Sequence, residues 1–540
     1  ENNSDPDYPF AFMASYASDL SKSGRLQQIP LGKALKEYAG ANNKAALLKL
    51  LAPIHAASKQ CALLADLVES QDIFHPLLWL PAEAYQFLQS VPELEDAGLL
   101  VRLPDWWKKR SRRPQVAAKI GSTKRSSVGE FGLLDVDLNV VVDGKPLSAE
   151  EVEALLAGDD GLILLRGQWV EVDREKLQQA LAHWGRIAAH GDISFATGMR
   201  WLAGAPADLQ AGDASEVIHE WAFAEAGKAL AELLQQLKDP VQLAPPATLN
   251  ATLRPYQQAG LDWLWLCTQT GLGACLADDM GLGKTIQLLA ALLRKQQQTP
   301  HAAAALLVVP ASLIGNWQRE AETFAPSLRL FIAHPSECPK NMLQTAPTEQ
   351  LANADLVITT YGMLSRLDWP AQIHWSWVAL DEAQAIKNHT SRQSKAVRAL
   401  KADARIALTG TPIENTLGDL WSLFDFINPG LLGSSGQFAK FAQGLRTANR
   451  EHYAPLRRLV SPYILRRLKT DKSIISDLPE KTEMKVFCGL SPEQAKLYQH
   501  TVKTLKQELA ATTGIQRKGL VLSYLMRFKQ ICNHPDQLTG

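Results

Sequence analysis

The amino-acid sequence predicts an α/β fold, a doubly wound parallel sheet built from residues 251–427. Two observations predict it. Short apolar runs without strict alternation recur at 273–277, 306–309, 328–333, 356–360, 378–380 and 406–408. Strands of a parallel sheet, buried on both faces, look like this. Helical stretches lie between the runs, so the pattern is strand, helix, strand, helix.

The rest of the chain follows from composition and punctuation. A chain of 540 residues is too long for one core and predicts three or more structural units. Hydrophobic residues make up 46% and charged residues 21%, an ordinary globular composition. Lys+Arg and Asp+Glu are both 56, which excludes a polycation, so nucleic-acid binding would need local basic patches. Cys61, Cys267, Cys275, Cys338, Cys488 and Cys532 are scattered without a CxxC pair. That argues against a zinc or disulfide framework and fits core thiols in a reducing cytoplasm. The longest apolar run, from Ala302 to Val309, stops at Pro310 and is too short for a bilayer, so no membrane partner is expected. The opening Glu1-Asn2-Asn3-Ser4-Asp5 is not a signal peptide, and it lacks Met, as a processed or excised piece would.

Residues 1–95 read as helical, with Leu47, Leu48, Leu50 and Leu51, then Leu63, Leu64 and Leu67, near helical spacing. Residues 96–236 read as an α+β module. Val136 to Val142 alternates before an Asp143-Gly144 turn, and Gly161 to Val170 reads as a strand pair around Gly167. Asp239-Pro240 through Ala244-Pro245-Pro246 marks a linker at 237–250. Residues 428–540 read as helical and basic, with Arg457-Arg458 and Arg466-Arg467.

The chemistry sits in the α/β part. Gly281-Leu282-Gly283-Lys284-Thr285 follows the first strand and opens a helix, the place for a phosphate loop. There Lys284 would meet the β- and γ-phosphates and the Thr285 hydroxyl would ligate Mg²⁺. Asp278 stands where the usual pattern has its first glycine, and a glycine turn capping a helix would look similar. Asp381-Glu382-Ala383-Gln384 ends another strand. A carboxylate there can hold Mg²⁺ and its neighbour can orient the attacking water, although acidic pairs are common in loops. Thr409-Gly410-Thr411-Pro412 ends the next strand and could sense the γ-phosphate, or be a plain polar turn. Gln257, in Leu253-Arg254-Pro255-Tyr256-Gln257, could read adenine through its amide, or simply start a helix.

Together these stretches resemble the first lobe of Snf2 (SWI2/SNF2) ATPases in helicase superfamily 2. The resemblance covers about 251 to 540 through LRPYQQAGLDWL, LADDMGLGKT, LLVVPASLIGNW, VITTYGML, LDEAQAIKN, LTGTPIEN, LWSLFDFINPGLLG, YILRRLKTD and RFKQICNHP. It implies a RecA-like P-loop lobe with a parallel sheet and a helical protrusion, leading into a second lobe that would carry an arginine finger. It implies ATP and Mg²⁺ as cofactors and duplex DNA as partner. It assigns adenine to Gln257, and the phosphate loop to Asp278, Asp279, Met280, Gly281, Leu282, Gly283, Lys284 and Thr285. It assigns metal and water activation to Asp381 and Glu382. Coupling falls to Gln384, Thr409, Gly410 and Thr411, and nucleic-acid backbone contacts to Pro310, Ser312, Thr360 and Tyr361. Gln384 departs from the family's commoner histidine. As written, the chain would bind ATP and hydrolyse it poorly.

The N-terminal half resembles the domain preceding the motor in some bacterial Snf2 proteins, through Leu103-Pro104-Asp105-Trp106-Trp107-Lys108-Lys109-Arg110 and Leu165-Arg166-Gly167-Gln168-Trp169-Val170. The basic run from Lys108 to Arg113 could bind phosphates beside stacking tryptophans, or be a solvated loop with the tryptophans packed inside. Some bacterial motors of this look belong to anti-phage systems, the helicase component of Zorya among them, although no nuclease motif is visible. A DNA-stimulated translocase is the leading reading. An ATP-switched binding module and an RNA-polymerase-recycling motor are the alternatives.

Overall fold

The computed structural model describes residues 8–20, 26–40, 44–108, 112–123, 132–158, 160–204, 221–300, 302–339, 343–345, 347–411, 416–446, 453–471, 484, 486–510 and 514–539. The chain divides into two units, residues 1–475 and 476–540.

The centre of the first unit is a seven-stranded sheet: β1 (Ala274–Leu276), β2 (Ala305–Val309), β3 (Leu330–Ile332), β4 (Leu356–Thr360), β5 (His374–Leu380), β6 (Lys401–Leu408) and β7 (Ile464–Leu465). Their order is β3-β4-β2-β5-β6-β1-β7, and every neighbouring pair is parallel. Each expected apolar run is a strand, which makes this the α/β fold the sequence predicts. The run at 378–380 is only the buried end of β5, which begins at His374. β7 comes from the stretch read as helical and basic. It pairs Ile464 with Cys275 and Leu465 with Leu276, and two residues leave no periodicity to read.

Parallel strands place their carboxyl ends along one edge, and the helices cover both faces. Helix α1 (Pro255–Gln269) starts with Pro255 in its first turn, where the missing N–H costs nothing. Helix α2 (Lys284–Gln298) follows β1, and α3 (Ile314–Phe324) follows β2. The core between these helices and the sheet also takes in Ile120, Leu134, Phe195, Leu230 and Leu237 from the α+β part, so the two share one hydrophobic cluster. Cys61, Cys267, Cys275 and Cys338 are buried thiols, and burial pushes the Cys275 thiol up to about 12.

The first 95 residues are not wholly helical. Phe10–Phe12 pairs antiparallel with Leu77–Trp79, and Ser15–Leu20 with Leu26–Pro30, before and between the helices Leu31–Gly40, Lys44–Ser58, Ala62–Glu69 and Pro81–Asp96. What holds Phe10–Phe12 is a distant ring, Trp79, stacked 4.5 Å from Phe12. Further on, Gln115–Ile120, Val136–Val142, Lys145–Pro146 and Ala222–Ala226 form a four-stranded sheet. The hairpin Gly161–Leu165/Gln168–Val172 turns through Arg166 and Gly167, both at positive φ (51° and 76°), as a two-residue loop requires.

The proline-spaced linker is strapped down rather than free. Leu243 N donates to Asp262 Oδ1 (3.3 Å), Gln258 Nε2 to Leu243 O (2.8 Å), Arg294 to Ala244 O, and Asn250 N to Phe324 O (2.8 Å).

The second unit contains the helices Pro492–Ala510 and Gly514–Asn533. Tyr498 lies 4.6 Å from Phe528, ring to ring, and Gln494 Nε2 donates to Ile531 O at 2.9 Å. Among the described residues, no helix is long and apolar enough to cross a membrane.

Candidate active site

Read along the carboxyl edge of the sheet, the candidate residues fall in spatial order. Thr360 ends β4 and Tyr361 follows it, Pro310 follows β2, Asp381 and Glu382 follow β5, and Thr409 follows β6. The loop 277–283 follows β1. The sequence separates these groups by up to about 130 residues; the parallel topology brings them to one edge.

The loop bends through Gly281 and Gly283, at φ 79° and 78°, in the left-handed region. A side chain on Gly283 would collide with the Gln257 amide. Leu282 is buried and anchors the loop, whereas Met280 is exposed at its tip. Lys284 Nζ donates to Asp278 O at 2.7 Å. Burial lowers the Lys284 ammonium below its ordinary value, against the pull of Asp278, Glu382, Asp381 and Asp279. Thr285 sits beside it in the first turn of α2, partly buried.

Gln257 is buried under this loop. Its Oε1 accepts Arg254 N (3.0 Å) and its Nε2 donates to Leu282 O (3.2 Å), so it ties the start of α1 to the loop.

Asp278 is fully buried, and its carboxylate faces a partner that sequence reasoning missed. Arg467, two residues after β7, donates from Nε to Asp278 Oδ1 (2.8 Å) and from Nη2 to Oδ2. Its backbone N–H also reaches Oδ1 (3.1 Å). Arg467 further donates to Tyr256 O and to Gln287 Oε1 (2.8 Å), and the Gln287 amide returns to Asp278 Oδ2 (3.3 Å). The aspartate at the usual glycine position thus carries a neutralised charge. The signal available in sequence was Arg466-Arg467, noted as basic but without a partner.

Asp381 is held by a second missed residue. Trp317 Nε1 donates to Asp381 Oδ2 at 2.7 Å, and Glu382 N to Oδ1 at 2.9 Å. Burial lifts the Asp381 carboxyl above its ordinary range, while the Trp317 N–H works the other way. A hydrogen bond to a charged group is worth about 1.5–3 kcal/mol. If Asp381 serves catalysis, Trp317→Phe should therefore slow ATP turnover by roughly tenfold or more in a variant that still folds, with a lowered melting temperature. Turnover equal to the parent's in a folded variant would remove that role from Trp317.

Glu382 has φ 50°, a strained value for a residue with a side chain. Its Oε2 accepts Gln384 Nε2 at 2.5 Å, Thr409 Oγ1 donates to Gln384 Oε1 at 2.9 Å, and Thr411 N donates to Thr409 Oγ1 at 3.1 Å. A continuous chain of hydrogen bonds therefore joins the acidic end of β5 to the turn after β6. Gly410 lies in that turn, and a Cβ on it would lie 3.2 Å from Met280 Cγ of the loop.

Thr360 and Tyr361 point inward. Thr360 Oγ1 accepts Met363 N (3.2 Å), and the buried Tyr361 hydroxyl donates to Asp381 O (2.7 Å). Both side chains are thus engaged within the lobe. Pro310 is half-buried and Ser312 exposed in the turn after β2.

The basic run from Lys108 to Arg113 is described only in part. Lys109 and Arg110, and the side chain of Lys108, lie outside the described residues. Arg112 pairs with Asp143 (2.9 Å), and Arg113 grips Glu171 with two bonds (2.7 and 3.1 Å). Trp106 and Trp107 pack against the cluster of Phe10, Trp79 and Tyr85. Arg112, Arg113 and both tryptophans are thus engaged within the protein.

Comparison with known proteins decides the family. The SNF2-related domain family matches residues 256–537, just over half of the chain. The chain belongs to the SNF2-related family. A second family, described as SNF2 Helicase protein, matches residues 72–203 of this SNF2-related chain. Bacillus subtilis YwqA, provisionally named an ATP-dependent helicase/translocase, is 39% identical over 505 residues, 87% of this chain and 53% of YwqA. The Zorya protein ZorD of Escherichia coli is 36% identical over 312 residues, 52% of this chain and 29% of ZorD. The SWI2/SNF2 ATPase core of Sulfolobus solfataricus, solved with dsDNA, is 42% identical. That match covers 56% of this chain and 62% of that one, with a TM-score of 0.41. The SNF2-related chain thus spans about half the length of YwqA and less of ZorD.

Proposed function

We propose that this chain is the ATP-binding lobe of a motor that couples ATP hydrolysis to movement along duplex DNA. One observation carries the reading: a glycine-bent loop with Lys284 at its end shares a sheet edge with the acidic pair Asp381-Glu382. Lys284 meets the β- and γ-phosphates, and loop N–H groups cradle them at the N-terminus of α2. Gln257 keeps one amide hydrogen and one lone pair for adenine. The Glu382 carboxylate accepts the proton of the attacking water. Gln384 and Thr409 tie that carboxylate to the turn after β6, so a change at the γ-phosphate can be felt there.

The residues fit Mg²⁺. Asp381 and Thr285 are hard oxygen donors, few in number, as suits an ion that keeps waters and phosphate oxygens as its other ligands. A cation also offsets the cost of a carboxylate that burial has made unfavourable. Magnesium supplies charge neutralisation at the β- and γ-phosphates.

The backbone of Pro310–Ser312 and Thr360–Tyr361 contacts the DNA strand. A second RecA-like lobe, outside these residues, supplies the arginine that completes the site. The domain boundaries 1–95, 96–236, 237–250, 251–427 and 428–540 are part of this proposal. An ATP-driven switch with little turnover is the second reading. The Glu382–Gln384–Thr409 chain, poised to orient a base, favours turnover.

ATP turnover with and without duplex DNA tests the proposal, on residues 1–540 and on a longer protein that includes the second lobe. Strong DNA stimulation of the longer protein and weak turnover by residues 1–540 are expected. Comparable, strongly stimulated turnover in both would overturn the need for a second lobe. No turnover in the longer protein would overturn the motor. The likeness to ZorD makes phage plating on a strain carrying the whole protein the test of an anti-phage role.

A further inference from the structure

We infer that Lys469 is a second phosphate-binding cation of the nucleotide site, presented by the segment after β7 and independent of Lys284. The inference rests on the ATP reading above and adds a residue that the loop motif does not contain.

β7 is the neighbour of β1, so the chain leaving β7 runs beside the chain leaving β1, which is the phosphate loop. The two are bonded step by step. Ala277 N donates to Leu465 O (2.7 Å), Asp279 N to Arg467 O (3.1 Å), and Lys469 N to Asp279 Oδ2 (3.0 Å). The backbone of Lys469 is thereby fixed against the loop.

The side chain then turns over the loop. A Cβ added to Gly281 would lie 2.9 Å from Lys469 Nζ and 3.6 Å from Cε. The ammonium therefore rests on the glycine whose missing side chain lets phosphates approach. Gly281 is exposed, so the ammonium stands on the open side of the loop. Lys284 stands at the other end, with its Nζ on Asp278 O. Two ammonium groups thus bracket the loop.

Among the described residues no carboxylate lies within ion-pair distance of the Lys469 Nζ. Asp279 accepts its backbone N–H, and Asp278 is neutralised by Arg467. An exposed ammonium with a fixed backbone, no acidic partner among the described residues and a seat on a phosphate-loop glycine is matched to an anion. A polyphosphate on the loop would supply one, at charge-assisted hydrogen-bond distance.

Affinities of the chain for ATP, ADP and adenosine, each with magnesium, test this, using calorimetry on the parent, Lys284→Ala, Lys469→Met and Lys469→Arg. Lys469→Met should weaken ATP and ADP roughly tenfold or more, leave adenosine unchanged, and reduce the salt dependence of ATP binding. Lys469→Arg should restore most of the loss. Parental affinity for ATP in Lys469→Met would overturn the inference while leaving the ATP site intact. An equal loss for all three ligands, without rescue by arginine, would overturn it too, because Lys469 would then only shape the loop. If the parent itself bound no ATP, or Lys284→Ala bound it as well as the parent, the underlying ATP reading would fall, and this inference with it.

Discussion

Glu382→Gln is expected to hold ATP and to lose its hydrolysis. The carboxylate sits at the end of β5, in a left-handed backbone that fixes where it points, and Gln384 donates to one of its oxygens. The substitution keeps the shape and an oxygen to accept that bond. It removes the group able to take a proton from water. General-base catalysis contributes about 10²–10⁴-fold, so turnover should fall by that order. Binding should not change, because the loop and Lys284 are untouched. Lys284→Ala should do the reverse and abolish binding, since the phosphate charge would lose its cation. Single-turnover hydrolysis beside a nucleotide titration separates the two. Unchanged turnover in Glu382→Gln would remove the assignment.

Arg467→Met is expected to be the most damaging single change to the fold of the loop. Asp278 has no exposed surface and Arg467 is only 6% exposed. Removing the guanidinium leaves a buried carboxylate facing Gln287 and one backbone N–H. Breaking a buried pair on one side costs about 3–5 kcal/mol. Adding Asp278→Asn should recover part of that loss, because the orphaned charge disappears with it. Chemical unfolding of the parent, the single variant and the double variant measures both steps. A loss below about 1 kcal/mol in Arg467→Met would mean that the pair does not hold the loop.

The sheet was legible where burial is symmetrical. β2 and β4 are continuous apolar runs because helices cover both faces, and such runs stand out in a sequence. β7 was not legible, since two residues gain their strand character only from β1, almost two hundred positions earlier. The same distance hid Arg467: an Arg-Arg pair reads as surface charge until its carboxylate is known. Trp317 was hidden differently. Its indole reads as a core residue, and it is one, but its N–H is aimed at Asp381. The strand at Phe10–Phe12 was missed because its partner at Leu77–Trp79 lies across intervening helices. The loop glycines, the acidic pair and the Thr409 turn were legible because each follows an apolar strand end. The inward turn of Thr360 and Tyr361 was not, because side-chain direction at a helix cap depends on the backbone that follows.

The clamp between the β7 segment and the loop has a consequence for biosynthesis. A ribosome delivers every short motif of the site, from Gln257 to Thr411, well before it delivers Ile464 to Lys469. Until that last segment emerges, Asp278 has no guanidinium and Ala277 and Asp279 have no carbonyls to bond. The nascent lobe can collapse around its apolar strands, yet its loop stays unfastened, and closure awaits a contact of very long sequence separation. Nucleotide should therefore be captured late, only after the final strand docks. A truncation near residue 430, although it keeps Gln257, the phosphate loop, the acidic pair and the Thr409 turn, should yield a lobe that cannot retain ATP.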